Sequence, residues 1–571
     1  MKSACRYGRD QPVVYSSSEE PYKCPNDLAE GEFCAFHHPD YYKRHEEEVE
    51  KKFLEQLDSG ETKFIGYHVP RIDLSNRKFG QDIYFNNAVI SLADFSNATF
   101  SGVVFSHSRF KNATFSGVRF ETAHFENSDF DEASFHEAYL EVAYFSNSHF
   151  VDVSFEDASF GEADFSGARL GRSEFSGARF LREAIFKRTL FGQGSVGGDD
   201  TRTDFSSSFF SESVDFSNSS FSGVTNFVMA SMLDAKFERS TFSDEVYFDG
   251  VAFEDADFSA TSFSKASFCQ AYFRGSYFDN CSFGEVDFTH ALFAESTRFY
   301  SCTFNNGAKF VRLARSNSLP ESYWASPVES DGRGLGLDED ESKQLKCGID
   351  PEVYFINVEF EDPKHVRFDD FDLGSVSFLH SDVSRIDIGE KVCWRKGNKL
   401  FDEYKADNEE SVNTDDGELS YTYEYVSTVY RRLRENLEAK MRYVEAGSFY
   451  VGEMECKRKG FTGKNRLLKW IGRNLSPLAF YKYMSNYGES YTRPIEIVLL
   501  LLIAVPIFQT IYQLSCQSPG ARLADNFAYV ALAFFQVHTN DLWQLLIRLI
   551  SLLLMGQLFI ALRRNFERRS R

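Results

Sequence analysis

Between Phe85 and Phe180 every fifth residue of this chain is large and apolar, twenty positions in a row without a miss. The series opens Phe85, Ile90, Phe95, Phe100, Phe105, Phe110 and closes Phe165, Leu170, Phe175, Phe180. Such a period fits neither the roughly 3.6-residue repeat of an α-helix nor the two-residue alternation of a flat strand. A second regularity explains it. Two residues before each large residue stands a small one, as at Ala93, Ala98, Val103, Ser108, Ala113 and Val118. In extended backbone, residues two apart point to the same side, so each pentad sends one large and one small side chain inward and then turns a corner. Repeated corners wind the chain into a tube. Its coils stack at strand spacing, ~4.8 Å, with backbone N–H and C=O groups pairing from coil to coil. The intervening Ser, Asn, Asp, Glu and Gly face water or occupy turns. The chain's 60 Phe in 571 residues are the excess expected of a repeat that demands one residue type at one place. Each buried ring contributes roughly 1.5–3 kcal/mol.

The motif A-D-F-S-N at Ala93–Asn97, recurring as A-D-F-S-G at Ala163–Gly167, resembles the pentapeptide-repeat family. That resemblance implies a mainly β fold, a right-handed quadrilateral β-helix with four pentads per coil. A first part is expected over 65–190. The Gly-rich segment Gly192–Asp200 breaks the phase, and a second part over 200–312 resumes at Phe205 and runs through Phe293. Its six-residue steps (Phe210 to Phe216, Phe221 to Phe227, Phe242 to Phe248) read as one-residue insertions at corners, which a surface turn tolerates. An acidic loop, Glu329 to Lys343 within 313–350, precedes terminal repeats over 351–395. There Phe368, Leu373, Phe378, Val383 and Ile388 are expected to cap the tube.

Ahead of the repeats, residues 1–60 contain Cys5, Cys24, Cys34 and His37, within C-P-N-D and F-C-A-F-H-H-P. Cys-x2-His is ligand spacing for zinc, and three thiolates with one imidazole complete a closed tetrahedral structural site. The segment resembles the Cys3His cluster that precedes pentapeptide repeats in archaeal and bacterial relatives. His38 is the substitute for His37, and free thiols in a leader are the alternative to a site. Ten scattered Cys and no secretory signal argue against a disulfide framework and for a reducing cytoplasm. The charged stretch Lys43–Asp58 reads as a helix that caps the first coil.

Beyond the repeats, 420–485 reads as a helical connector. Val426, Tyr430, Leu433 and Leu437 recur at helical spacing on one arm of a hairpin spanning Tyr423–Lys459, and Ala446, Phe449, Tyr450 and Met454 on the other. Its polar residues, Arg431 and Glu453 among them, are expected to pair between helices. No nucleophile–base arrangement or nucleotide loop stands out. The glycines of G-R-G-L-G, Gly332–Gly336, do not follow a strand, so they make no phosphate site. The chain is not expected to be an enzyme.

The last part, 490–571, has two apolar spans, Ile495–Leu514 and Trp543–Leu562, each just long enough to cross a bilayer. Between them Phe527–Val537 is apolar but too short. Span, short segment, span is the layout of a two-helix pore domain with a re-entrant segment. The ending G-Q-L-F-I-A-L-R-R, Gly556–Arg564, is similar to the inner helix of potassium-type channels. Aligning Asp541 with the Asp that closes a T-V-G-Y-G-D filter places Gln536, Val537, His538, Thr539 and Asn540 where T-V-G-Y-G belongs. Both glycines are absent, which disfavours a potassium-selective filter. The simpler reading is two anchoring helices, with Glu496 and Arg548 snorkelling to an interface. Nine basic residues from Lys457 to Arg493 precede the first span and five from Arg563 to Arg571 follow the second. The connecting loop holds only Arg522, so both flanks and the solenoid are placed in the cytoplasm.

The net charge, 62 − 85 = −23, speaks against nucleic-acid binding. The leading expectation is a membrane-anchored interaction scaffold or sensor with an unidentified protein partner. The alternative is an ion-channel-like homo-oligomer regulated by its solenoid. A third reading is a DNA mimic that occupies a topoisomerase, since Phe85–Phe180 carries 14 acidic and 6 basic residues, net −8.

Overall fold

The computed structural model describes residues 5–8, 22–192, 201–293, 296–311, 352–414, 417–461, 466–515, 522–535 and 542–570. The chain divides into two compact units, Met1–Phe371 with Ile386–Val392, and Asp372–Arg385 with Cys393–Arg571.

The first unit opens with the Cys-containing segment and two helices, α1 (Tyr41–Arg44) and α2 (Glu46–Asp58). A β-solenoid of about 13 turns follows. Its coils pair in parallel: Phe110 stands beside Phe130, and Phe130 beside Phe150. That offset is four pentads per coil. The large inward residues therefore form four columns of rings. Phe85, Phe105, Phe125 and Phe145 stack at 5.0, 5.2 and 4.9 Å. Phe110, Phe130 and Phe150 stack at 4.9 and 4.8 Å, and Phe95, Phe115 and Phe135 at 4.7 and 4.6 Å. The fourth column includes Phe100 on Phe120 at 5.2 Å and Phe160 on Phe180 at 4.8 Å. Neighbouring columns meet edge to face, as Phe125 and Phe135 do at 5.9 Å and 88°. Both geometries suit the ring quadrupole, so a five-residue repeat of one residue type is self-consistent in packing.

The corners explain the polar filler. At three of the four corners in a coil the residue two after the ring is left-handed. Asn87, Asn97 and Asn147 each have φ 58° and Asn112 has φ 52°. Asn tolerates this region better than most residues and Gly best of all. The fourth corner is crossed in extended backbone by six-residue strands such as Thr99–Val104, Arg119–His124 and Tyr139–Tyr144. Gly117 has φ 65°, and a Cβ there would lie 2.6 Å from Asn97 Oδ1 in the coil below. Glycine meets both demands there at least cost, although Glu137 and Asp157 take the same left-handed position in later coils.

From Ser108 on, one line of small inward residues is polar except at Ala168, and each hydroxyl or thiol in it is satisfied. Ser108, Ser128 and Ser148 donate from Oγ to the carbonyls of Phe85, Phe105 and Phe125 at 2.6, 2.8 and 2.6 Å. Thr189, Ser219, Ser240 and Thr261 continue the line. Cys281 and Cys302 end it, their thiols donating to Phe258 and Phe278 at 2.9 and 2.7 Å. These two free cysteines thus stand in for serine in a structural ladder.

The columns run on across the sequence's apparent interruptions. Phe175 stacks on Phe205 at 4.7 Å and Phe191 on Phe221 at 4.3 Å, although 193–200, which lie outside the described residues, intervene. A one-residue insertion, between Phe180 and Phe186, already precedes that segment, and Phe165 still stacks on Phe186 at 4.9 Å across it. The acidic loop also lies outside the described residues, within 312–351. Past it Phe299 stacks on Phe355 at 4.9 Å, Phe304 on Phe360 at 5.4 Å and Phe310 on Phe368 at 4.6 Å. Phe355 and Phe360 are coil members that the five-residue count passed over. Two of the one-residue insertions appear as register shifts, after Phe210 and after Phe242. They leave Phe186, Phe216 and Phe237 stacked at 4.9 and 5.0 Å. A bulge takes up an extra residue locally. Of the terminal stretch, Phe368 pairs with Ile388 in the first unit. Leu373, Phe378 and Val383 are buried and belong to the second.

The second unit is helical: α3 (Phe401–Asp407), α4 (Tyr423–Ala439), α5 (Tyr443–Lys459), α6 (Arg466–Asn474), α7 (Pro477–Ser485), α8 (Thr492–Ser515), α9 (Leu523–Phe534) and α10 (Leu542–Ser570). The hairpin is present. Val426, Tyr430, Leu433 and Leu437 of α4 and Ala446 and Phe449 of α5 are buried. Gly452 leaves room for the Tyr430 ring, 2.2 Å from where its Cβ would be. Arg431 meets Glu453 at 3.3 Å, and Lys457 joins the same carboxylate at 2.6 Å. From α4, Arg432 and Asn436 donate to the Ser381 and Val383 carbonyls at 2.8 and 3.0 Å. Helices α8 and α10 contain segments, Thr492–Ser515 and Leu542–Arg564, long and apolar enough to cross a membrane.

Candidate metal centre

The four predicted ligands come together. The ligand atoms of Cys5, Cys24, Cys34 and His37 all lie within 4.8 Å of one another, and all four residues are buried. Cys24 Sγ is 3.8 Å from Cys34 Sγ, Cys5 Sγ is 3.6 Å from His37 Nδ1, and Cys34 Sγ is 3.1 Å from His37 Nδ1. A tetrahedral ion with metal–sulfur bonds of ~2.3 Å sets its sulfurs about 3.8 Å apart, so the cluster has the dimensions of a four-coordinate site. The three cysteines are not joined as disulfides.

Several elements hold the donors in place. A tight turn returns the His37 and His38 amides to the Cys34 carbonyl at 3.2 Å each. This brings the Cys-x2-His pair to one side. The Cys34 amide donates to Cys5 Sγ at 3.4 Å, as amides do to coordinating thiolates. His37 Nε2 donates to the Ile65 carbonyl of the first coil at 2.8 Å. That bond puts the ring proton on Nε2 and turns the Nδ1 lone pair toward the sulfurs, the role an outer-shell carbonyl plays in metal sites. Tyr7 stacks on the imidazole at 4.0 Å. Gly66, with φ 70°, makes room for it, since a Cβ there would lie 2.1 Å from the phenol oxygen. Asn26, Gln56 of α2 and Tyr67 form a closed polar triangle, with bonds of 2.7, 2.7 and 3.1 Å. Phe53 of α2 packs on Phe64 of the first coil at 4.8 Å.

Electrostatically the cluster drives the acidities of Cys5 and Cys24 apart. Contact with Cys24, then Cys34, holds the Cys5 thiol well below the ordinary range. The same crowding, led by Cys34, pushes Cys24 upward. Burial would depress the His37 imidazole, but the Cys34 and Cys5 sulfurs outweigh it and raise it to about 9. Sulfurs this close compete for one proton, a conflict that a divalent cation removes.

His38 lies outside the cluster; its Nδ1 accepts from the Asp40 and Tyr41 amides at 3.2 and 3.1 Å. The pore-like segment Gln536, Val537, His538, Thr539, Asn540 and Asp541 lies outside the described residues. The sequence reading missed Tyr7, Gly66 and the Ile65 carbonyl. Tyr7, two residues from Cys5, was within reach; a backbone carbonyl in the first coil carries no side-chain signal.

The ring columns and coil register above agree with what family comparison finds. A profile described as "Pentapeptide repeat region" matches residues 118–198. Two described as "Pentapeptide repeats" match 95–138 with 216–262, and 249–294. Pentapeptide repeats therefore make up residues 95–198 and 216–294 of the solenoid. An uncharacterized protein of Methanocaldococcus jannaschii is 27% identical over 237 residues, 38% of this chain. The match spans 49% of that relative, so the chain covers about half its length. Among solved structures, HetL, a pentapeptide-repeat protein of Nostoc involved in heterocyst differentiation regulation, aligns at 14% identity. It covers 46% of this chain and 90% of its own, with a TM-score of 0.13. QnrB1, a plasmid-mediated fluoroquinolone resistance protein, aligns at 14% identity over 43% of this chain and 85% of its own, with a TM-score of 0.10.

Proposed function

We propose that this pentapeptide-repeat protein is a non-catalytic scaffold or sensor, tethered to a membrane by α8 and α10, whose solenoid offers its faces to a protein partner. One observation carries the reading. In the most apolar window of each long helix, 6% and 17% of residues are buried within the chain. A core helix of a soluble domain would be covered. These present leucine, isoleucine and phenylalanine outward, and a contiguous apolar surface of that size calls for lipid or a large partner. The basic flanks on both sides of the pair set the solenoid and the Cys3His cluster in the cytoplasm. Zinc is the cation that suits a closed site of three thiolates and one imidazole, and its role there is structural: it fastens the N-terminal segment to the first coil.

A second reading has its own support. Asn526 of α9 donates to Thr510 and Gln513 of α8 at 2.9 and 3.0 Å. Ser551 of α10 donates to the Phe534 carbonyl of α9 at 2.7 Å. A short helix fastened between two spans by polar side chains is the arrangement of a pore domain, and polar groups at membrane depth mark pathways as well as helix contacts. That reading requires a homo-oligomer.

Four measurements test these claims. The full chain should float with liposomes after carbonate washing, and recovery in the soluble fraction would refute the tether. Protease added outside intact cells should spare the solenoid. Purified protein should hold one zinc per chain, lost in Cys24→Ser while the solenoid's circular dichroism is unchanged. Metal retained without Cys5, Cys24 and Cys34 would refute the site. Conductance in reconstituted bilayers, unselective between potassium and sodium, would favour the second reading over the first.

A further inference from the structure

The chain carries 85 acidic against 62 basic residues, yet from Cys456 to Gly488 it contains eight Lys or Arg and no Asp or Glu. Helix α6, R-L-L-K-W-I-G-R-N, lies in the middle of that stretch. At about 100° per residue Leu467, Leu468 and Ile471 share one side with the following Leu475. Arg466, Lys469 and Arg473 share the other, and Trp470 stands at the border. The helix is fastened to its own unit by its polar edge. Arg473 Nε donates to the Lys459 carbonyl at 2.8 Å and Arg458 donates to the Arg473 carbonyl at 2.6 Å. Gly472 is buried against Phe461, whose ring would lie 1.9 Å from a Cβ. The apolar side stays uncovered: Leu467 is 68% exposed and Trp470 55%. Leu468, Leu475 and, in α7, Phe480 and Tyr483 are also exposed.

We infer that α6 is an interfacial helix that lies flat on a bilayer containing anionic lipid. Its leucines enter the acyl boundary and Arg466 and Lys469 reach the headgroups. The inference rests on the membrane tether proposed above and goes beyond it, because a tether by two spans needs no such surface. Three features select lipid as the occupant. The charge on α6 itself, Arg466, Lys469 and Arg473, is of one sign, opposite to that of the whole chain and complementary to anionic headgroups, whereas Lys457, Arg458, Lys459 and Lys482 of the flanking segments are paired with Glu453, Glu455, Glu403 and Glu455. An apolar stripe with a cationic opposite face and an aromatic at the border is the pattern of helices that rest in the headgroup region. The first span, α8, begins at Thr492, a short way along the chain, so a chain tethered there keeps α6 close to the membrane surface.

The test uses the full chain carrying Trp543→Phe, reconstituted into phosphatidylcholine vesicles with or without phosphatidylglycerol. Lipid brominated near the headgroup end of its acyl chains serves as quencher. Flotation is measured on the same samples. The expected result is quenching of a fluorescence component that Trp470→Phe removes, stronger with phosphatidylglycerol. Lys469→Glu, a change at the helix surface, should weaken the helix's association about fivefold or more while flotation is unchanged. Protein that floats with Trp470 unquenched in both lipids overturns the inference and leaves the tether standing. Trp470 shielded from acrylamide yet unquenched by bromine also overturns it, assigning the face to another copy or another protein. Protein that does not float overturns the tether and this inference together.

Discussion

The solenoid and the two long apolar helices dispose of their apolar side chains in opposite ways. In the solenoid nearly every ring is turned inward, and Phe130 is 1% exposed between Phe110 and Phe150. In α8, Phe508 is 72% exposed, with Leu500, Ile503 and Ile511 also uncovered. Both regions are rich in large apolar residues, so content alone does not separate them. Period does. A five-residue repeat with polar corners lets backbone hydrogen bonds pass from coil to coil while the rings close a dry interior. An uninterrupted apolar run satisfies its own backbone as a helix and leaves its side chains for another solvent.

That contrast can be broken most forcefully at Phe130. Phe130→Asp removes a ring worth about 3–5 kcal/mol and adds a carboxylate to a dry stack. The solenoid should then lose its circular dichroism and its soluble expression. Phe508→Ala in detergent should leave the melting temperature almost unchanged, since the chain itself packs little on that ring. Equal losses from the two would mean that the spans are core helices after all.

A smaller effect comes from Asp402 of α3. Burial holds its carboxyl up at about 6, against the hydrogen bonds it accepts from Ser377 Oγ at 2.6 Å and the Phe378 amide at 3.2 Å. The folded value is raised above the unfolded one, so the folded state binds the extra proton. Its stabilising contribution is fully present below about pH 4 and is lost as pH rises through about 6, a change on the order of 3 kcal/mol. Chemical denaturation of the helical unit should show that slope, and Asp402→Asn should flatten it. The solenoid's own transition, followed by its β-sheet signal, should not respond to Asp402→Asn.

Gly117→Ala should cost about 1–2 kcal/mol through its left-handed φ and the contact with Asn97, read as a lower melting temperature. Gly397, although at φ 83°, has open space around a Cβ and should cost less on replacement by alanine. The smallest effect is expected at Asp131, which points outward beside Lys111 at 3.1 Å. Surface pairs of this kind contribute ~0–1 kcal/mol, so Asp131→Lys should be nearly silent. If Asp131→Lys and Phe130→Asp melt alike, the register of the columns is wrong.

Much of the candidate site was legible because cysteine and histidine at ligand spacing are rare and chemically distinctive: Cys24, Cys34 and His37 announce themselves. The choice of His37 over His38 was favoured by Cys-x2-His spacing. The structure supports it with a geometric reason, since His38 instead accepts two amides at the start of α1. The Ile65 carbonyl and the Gly66 opening for Tyr7 were not legible, because a backbone atom's position depends on the coil that delivers it.

The sequence alone determined that residues 85–180 form coils of pentads with rings inside, because a strict five-residue period has few other physical solutions. It also marked the two apolar runs, since length and hydropathy decide what can span a bilayer. Only the tertiary structure decided that the ring columns pass unbroken over the 193–200 and 312–351 segments. Stacking is a relation between coils, and the number of residues spent at a corner does not enter it. It likewise decided that Cys281 and Cys302 replace serines in a hydrogen-bonded ladder, while Cys5, Cys24 and Cys34 converge. A thiol's role depends on which acceptor or which other sulfur the fold sets beside it.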